Sequence, residues 1–329
     1  MSRQLVRLFL VIACVALLPF HAPAPLVYTP GEGWSYEAVG GQGKWRRMRA
    51  KDQLDVAQEA FDTKKYSIAI KASRHLVKTW PLSDYAPQAQ YLLGRCYEAK
   101  GQDERAFNAY QGVVENYPQS KHLDEVLKRQ YAIAGRFLGG EWFRLWNYIP
   151  YPQFFDRERV PSLYEKIVKN APFSEIAPQA QMKIGESREK QRHYPEAVKA
   201  FERAADRYSD QPRIAADALY RVGMAYRKQS KTAEYDHGAS SQAIDSLTDF
   251  ITLYPDDPRV PEAQKTIEDL KGEEAQGNFD IAEFYQKRGG WKGALIYYNE
   301  VLSDPSSPLA SVARQRIEKI KQRIQTASK

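Results

Sequence analysis

The stretch Pro81–Gln90 reads P-L-S-D-Y-A-P-Q-A-Q, and Pro172–Gln181 reads P-F-S-E-I-A-P-Q-A-Q, 172 − 81 = 91 residues further on. A loop built for catalysis is needed once, whereas a loop written twice joins units that recur. Pro81 and Pro172 each close a helix, because proline cannot continue one. Ser83 and Ser174 begin a turn, and the Ala-Pro pairs at 86–87 and 177–178 suit the first positions of the next helix. The repeated decapeptide therefore reads as a linker between structural units and not as a ligand motif.

The residues between the two copies support this. Across Gln88–Pro118, Ala89, Leu92, Leu93, Cys96 and Tyr97 fall at i, i+3, i+4, i+7 and i+8, one apolar stripe of a helix. After Lys100-Gly101-Gln102, Ala106, Ala109, Tyr110, Val113 and Val114 repeat the spacing, giving a helical hairpin with two facing stripes. Gly94, Tyr97, Ala106 and Pro118 stand at the separations of a tetratricopeptide repeat: small, aromatic three on, small twelve after the first, proline at the end. The small residues let two helix axes approach closely.

The frame recurs through Ala57, Ala60, Ala69 and Pro81; Gly185, Ala197, Phe201 and Ala204, with Ser209 in place of proline; Gly223, Tyr226, Ala243 and Pro255; and Ala282, Tyr285, Ala294 and Tyr298. Gly223 to Ala243 spans 20 residues where 12 are expected, which places an eight-residue insertion around Ser230–His237. A third, distorted unit opens at Gly135 and closes at Pro172 around an expanded turn. The expectation is an all-α tetratricopeptide superhelix (α-solenoid) of about six hairpins. Residues 51–172 form repeats one to three with an aromatic insertion at 139–158, and residues 173–329 form repeats four to six with a capping helix around Ser307–Ile320.

Residues 1–24 read as an export signal. Arg3 and Arg7 precede the 13-residue apolar run L-F-L-V-I-A-C-V-A-L-L-P-F, shorter than the ~20 residues a membrane span needs. Ala22 and Ala24 give an A-x-A cleavage pattern, V-I-A-C at Val11–Cys14 fits a box for lipidation of Cys14, and an uncleaved anchor is the third reading. All three place the protein outside the cytoplasm. The net charge of +7 falls to +5 without Arg3 and Arg7, too mild for a nucleic-acid partner, and two cysteines make no disulfide framework.

Catalytic chemistry has no foothold in the sequence. The five histidines show no metal spacing, and no phosphate loop, nucleophile elbow or HExxH occurs. The reading is therefore no enzyme, no cofactor, no metal and no small-molecule substrate. Cys96 lies on a buried stripe as a small core residue, and Gly139-Gly140 and Gly289-Gly290 mark hairpin turns. Three stretches stand out instead. Gly139–Phe155 gathers Trp142, Phe143, Trp146, Tyr148, Tyr151, Phe154 and Phe155, which pack onto the stack or meet a partner or membrane surface. Gly43–Lys51 sets five cations around Trp45, among them Arg46 and Arg47, as a solvated helix entry or a contact for anionic lipid or an acidic partner. The segment 25–50 opens with P-L-V-Y-T-P-G-E-G-W-S-Y-E, which is aromatic, turn-rich and not helical.

Residues 45–322 resemble the BamD family of outer-membrane protein assembly lipoproteins. The resemblance rests on Y-D-H-G-A-S-S-Q-A-I-D-S-L-T-D-F-I-T-L-Y-P-D-D-P and F-D-I-A-E-F-Y-Q-K-R-G-G-W-K-G-A-L-I-Y-Y-N-E-V-L, with family features on Asp236, Ala243, Tyr254-Pro255, Ala282, Phe284 and Tyr285. W-P-L-S-D-Y-A and Y-P-Q-S resemble its N-terminal repeats. The resemblance implies a non-enzymatic scaffold for assembling β-barrel proteins into the outer membrane. Its N-terminal repeats would receive nascent outer-membrane proteins, and its C-terminal repeats would dock on the central barrel subunit. The lipidation box and the aromatic insertion depart from that pattern. An alternative reading is a periplasmic tetratricopeptide coordinator of a cell-wall synthesis enzyme.

Overall fold

The computed structural model describes residues 26–29, 33–36, 45–140, 143–145, 149–151, 158–231, 237–305 and 307–327. Among these residues the chain is an α-solenoid of tetratricopeptide hairpins. It divides into two compact units, Met1–Ile133 and Ala134–Lys329. The division falls within a helix of the third hairpin, whereas the sequence frame separates repeats three and four at 172/173.

In the first unit α1 (Ala50–Asp62) pairs with α2 (Tyr66–Thr79), and α3 (Ala86–Ala99) with α4 (Asp103–Asn116). The helix α5 (Leu123–Gly139) crosses the division. The second unit continues with α6 (Arg159–Asn170), α7 (Ala177–Lys190), α8 (Tyr194–Arg207), α9 (Pro212–Ser230), α10 (His237–Leu253), α11 (Val260–Lys287), α12 (Trp291–Val301) and the cap α13 (Ala310–Ala327). Two short antiparallel pairs accompany the helices. β1 (Leu26–Thr29) pairs with β2 (Gly33–Tyr36), and β3 (Phe143–Leu145) with β4 (Ile149–Tyr151). They occupy the non-helical N-terminal segment and the aromatic insertion.

The repeated linker has one backbone form. After four of the B helices the next residue donates to the carbonyl four back: Trp80 to Leu76, Tyr117 to Val113, Ala171 to Ile167 and Tyr254 to Phe250, at 2.8–3.1 Å. Two successive three-residue bonds follow, as in Ser83 N to Trp80 O (3.2 Å) and Ala86 N to Ser83 O (2.9 Å), and again through Ser174 and Ala177 (both 3.1 Å). Pro81, Pro118, Pro172 and Pro255 sit one residue beyond that cap, where no amide is needed. Pro118 is exposed, a stop and not a packing residue. After α8 the buried Tyr208 makes the same cap bond at 3.1 Å without a proline behind it.

Inside a hairpin the small position is a seat for a side chain. A β-carbon on Gly94 would collide with the ring of Tyr110, on Gly185 with Phe201, and on Gly223 with Leu247. The first two partners lie 16 residues on (110 − 94, 201 − 185), and Leu247 lies 24 on, the eight-residue insertion added. That insertion lengthens the helices, since α9 has 19 residues and α10 has 17 against 14 in α7 and α8. Ala57, Ala69, Ala106, Ala197, Phe201, Ala243, Ala282 and Ala294 are all fully buried, and Tyr97 nearly so. Gly135 differs: a β-carbon there meets only the Tyr164 hydroxyl, at 3.8 Å, so this glycine seats nothing. Tyr285 also differs, 38% exposed and stacked on Tyr297. The ring also lies over Gly290 and Gly293 at the start of α12, and there it stays at the surface.

The A–B turns share a second form. Lys65 donates to Ala60, Gln102 to Tyr97, His193 to Arg188 and Gly290 to Tyr285, the six-to-one bond of a Schellman cap. The residue before each donor has positive φ: Lys64 (58°), Gly101 (64°), Arg192 (61°) and Gly289 (76°). Cores then form between neighbouring hairpins. One joins Ala57, Ala69, Leu92 and Cys96 across α1–α3, and another joins Phe279, Tyr298, Val301 and Ile317 across α11–α13. Each large side chain buried there stabilises by ~1.5–3 kcal/mol, so a hairpin gains stability mainly from its neighbour.

Candidate functional site

A glutamine strut fixes the depth at which the A helices of hairpins one, two and four lie. Gln90 on α3 donates through Nε2 to the Ala109 carbonyl at 2.7 Å, and Gln181 on α7 to the Ala200 carbonyl at 2.9 Å. Gln53 on α1 does the same to Ala72 at 3.3 Å. These are the final glutamines of the two Pro-Gln-Ala-Gln runs and their counterpart in hairpin one. The linker explains the proline of that run, and the strut explains its last residue, which the sequence reading left unassigned. Their burial costs little because the amide is paired.

With the A helices so placed, their outer faces form a charged, aromatic surface in each unit. On α3 and α5, Arg129 bridges Glu98 (3.0 Å) and Glu125 (2.8 Å), while the Tyr110 hydroxyl donates to Glu98 at 2.8 Å. Arg95 donates to the Tyr91 hydroxyl at 2.9 Å and lies 5.5 Å over the Phe61 ring of α1. Tyr91 stacks on His122, centroids 4.2 Å apart, and His122 meets Gln88. Burial pushes the Glu125 carboxyl up, but the Tyr91 hydroxyl and Arg129 outweigh it and hold it below the usual range. Burial drives the Tyr110 hydroxyl upward, reinforced by Glu98, so it stays a donor.

The second unit uses the same chemistry with other residues. Arg221 on α9 reaches Glu186 of α7 at 3.4 Å and Asp217 at 3.2 Å. Arg259 binds Asp217 at 2.5 Å and Asp257 at 2.9 Å, and covers the rings of Tyr220 (4.8 Å) and Phe250 (5.4 Å). The Arg259 hydrogen bond holds the Asp257 carboxyl below its ordinary value, and burial lifts the Tyr220 hydroxyl to about 12. Arginine suits these places because its planar fork can bind a carboxylate and stack on a ring together. Half-exposed pairs contribute ~0.2–1 kcal/mol each, so they set the register of neighbouring hairpins more than their stability.

The basic N-terminal stretch is tied down. The Trp45 carbonyl accepts from Gln53 at 3.0 Å, and the Arg47 amide donates back to Gln53 at 2.8 Å. The half-buried Trp45 ring meets His75 edge-on at 5.9 Å, and Arg46 lies 5.4 Å over it. Arg46 and Arg47 are exposed. Of the aromatic insertion, Phe143 and Tyr151 face each other in the β3–β4 register. Trp142, Trp146, Tyr148, Phe154 and Phe155 lie outside the described residues, as do Cys14 and Asp236.

Cys96 is buried, and desolvation pushes its thiol up to about 12, so it is not a nucleophile. No cluster of three or more histidine, cysteine or carboxylate groups suited to a metal occurs among the described residues. No described helix is long and apolar enough to cross a membrane.

Residues 161–307 match the model of the YfiO family, described as outer membrane lipoprotein, and residues 88–120 match the tetratricopeptide repeat. No curated protein matches significantly. Solved structures similar to the chain include the C-terminal part of a tetratricopeptide-containing protein from Cytophaga hutchinsonii, at 16% identity over 80% of this chain and 87% of that one, TM-score 0.37. A tetratricopeptide protein from Parabacteroides merdae is similar at 10% identity over 83% and 98%, TM-score 0.33. The matched models are of protein-interaction scaffolds.

Proposed function

We propose that the chain is a non-enzymatic scaffold of the cell envelope that holds partner proteins while β-barrel proteins are assembled into the outer membrane. The observation that carries this reading is the match of residues 161–307, most of the second unit, to an outer membrane lipoprotein model. The BamD-like motifs on Ala243, Tyr254-Pro255 and Ala282 fall in the same span. The arginine-bridged A-helix faces supply the two binding surfaces such a scaffold needs, one per unit. Exposed Arg46 and Arg47 extend the surface available to partners.

Depletion of the protein tests this. Folded outer-membrane β-barrel proteins should fall while peptidoglycan synthesis continues, and affinity capture from envelope extracts should recover the central barrel-assembly subunit. Normal barrel levels together with capture of a cell-wall synthase would replace this reading with that of a cell-wall coordinator. The mass of the mature N-terminus distinguishes acylation at Cys14 from cleavage near Ala24.

A further inference from the structure

The tip of the last hairpin has the backbone form of the other A–B turns but carries different side chains. It reads Q-K-R-G-G-W-K-G at Gln286–Gly293, and Lys287, Arg288 and Lys292 are exposed. Arg288 lies 4.3 Å over Phe284, itself 50% exposed, and Arg323 from the cap helix lies 4.8 Å over Trp291. Arginines such as Arg129 and Arg259 are neutralised by carboxylates, whereas Arg46 and Arg105 lie over single rings. Among the described residues Arg288 and Arg323 make no ion pair, and a ring holds each guanidinium in place while leaving its charge intact.

Two further observations point the same way. The helix α13 carries five cations and one carboxylate, a net 5 − 1 = +4, and Val312, Arg316, Lys319 and Arg323 fall on one stripe of it at i, i+4, i+7 and i+11. Glu283 is the carboxylate at hand, already bound by Lys287 (3.3 Å) and Arg316 (3.5 Å). Five of the ten exposed large apolar side chains of the described residues, Phe284, Tyr285, Ile296, Val312 and Ile324, lie on these last three helices. Cations interleaved with tryptophan, phenylalanine and aliphatic side chains match a surface that is anionic outside and apolar just beneath.

We infer that the tip of the last hairpin, with the adjoining stripe of the cap helix, docks on an anionic phospholipid surface. Arg288, Lys292, Lys319 and Arg323 meet the headgroups and Phe284 enters the headgroup layer, while Trp291, packed against the core of the last three helices, holds Arg323 in place. The proposal is independent of the barrel-assembly reading and adds a second membrane contact to whatever the N-terminus provides.

Co-sedimentation of the full chain with large unilamellar vesicles tests it. Vesicles of phosphatidylglycerol and phosphatidylcholine at 30:70 should bind the protein at least about tenfold more tightly than phosphatidylcholine alone, with the advantage fading as salt rises. Arg288→Glu with Lys292→Glu, and separately Lys319→Glu with Arg323→Glu, should each remove most of that advantage. Arg288→Gln with Lys292→Gln guards against misfolding and should lower it part-way, with circular dichroism unchanged. An advantage equal in parent and folded variants, or absent from the parent, overturns the proposal. So does a parent that ignores the vesicles yet binds a purified acidic protein through the same four cations.

Discussion

Hairpins two and four carry the same frame and link to their successors differently. In both, glycine seats a ring (Gly94 and Tyr110, Gly185 and Phe201), and a glutamine struts across to an alanine carbonyl 19 residues on. At the rim they diverge. The Tyr110 hydroxyl joins Glu98 and, through it, Arg129, whereas Phe201 has no hydroxyl and lies under Arg221 at 5.7 Å. Glu189, 91 residues after Glu98, is bound by Lys228 instead. The interior of a hairpin is held by steric fit, which admits few solutions. The bond to the next hairpin is electrostatic at a half-exposed rim, where many pairings serve.

The largest expected effect comes from breaking the shared part. Gly94→Trp and Gly185→Trp should each cost more than ~3 kcal/mol, since the space already holds a fully buried ring. A thermal melt by circular dichroism reads this, and parent-like melting would mean the frame is misplaced. Gln90→Ala and Gln181→Ala should cost about 1–2 kcal/mol each and by similar amounts, measured by urea titration. A marked inequality would show that one strut is incidental.

Tyr110→Phe sharpens the contrast. It makes hairpin two resemble hairpin four at the rim and should cost about 1 kcal/mol, while Phe201→Leu disturbs the interior and should cost more. The αL turn gives an effect of opposite sign. Arg192→Gly relieves a left-handed side-chain conformation and should stabilise by up to about 1 kcal/mol, whereas Gly101→Arg should destabilise by a similar amount.

The smallest effect is the pH dependence of the second unit's rim. The Asp257 carboxyl titrates below its unfolded value of about 3.8, because Arg259 hydrogen-bonds the charged form. Its stabilisation is therefore complete above that unfolded value and is lost as pH falls through the lower folded one. In Asp257→Asn the acid-side loss of stability should be shallower than in the parent, as acid titration of the folded fraction would show.

The hairpins were legible in the sequence because period, breaker and small residue coincide at Ala57, Gly94, Gly185 and Ala282. Each is a local constraint that leaves a local mark. Gly135 misled for the same reason: a glycine at a plausible spacing looks identical whether or not a ring needs the room. Tyr285 sits in the aromatic slot, but the glycines beside it left its ring at the surface. The glutamine struts left a visible trace, the repeated Q-A-Q, whose meaning depends on a carbonyl 19 residues away. The arginine bridges left none, since Arg129 to Glu98 or Arg259 to Asp217 is decided by how helices stack.

The helix Val260–Lys287 has one further consequence. Its 28 residues run ~42 Å without a break, the first part lining the core with Leu247 and Phe250 and the last part the core with Tyr298. Hairpins five and six thus share a single rod, and neither can pivot without the other. A displacement imposed at the last turn is carried along the continuous helix toward its Arg259 end.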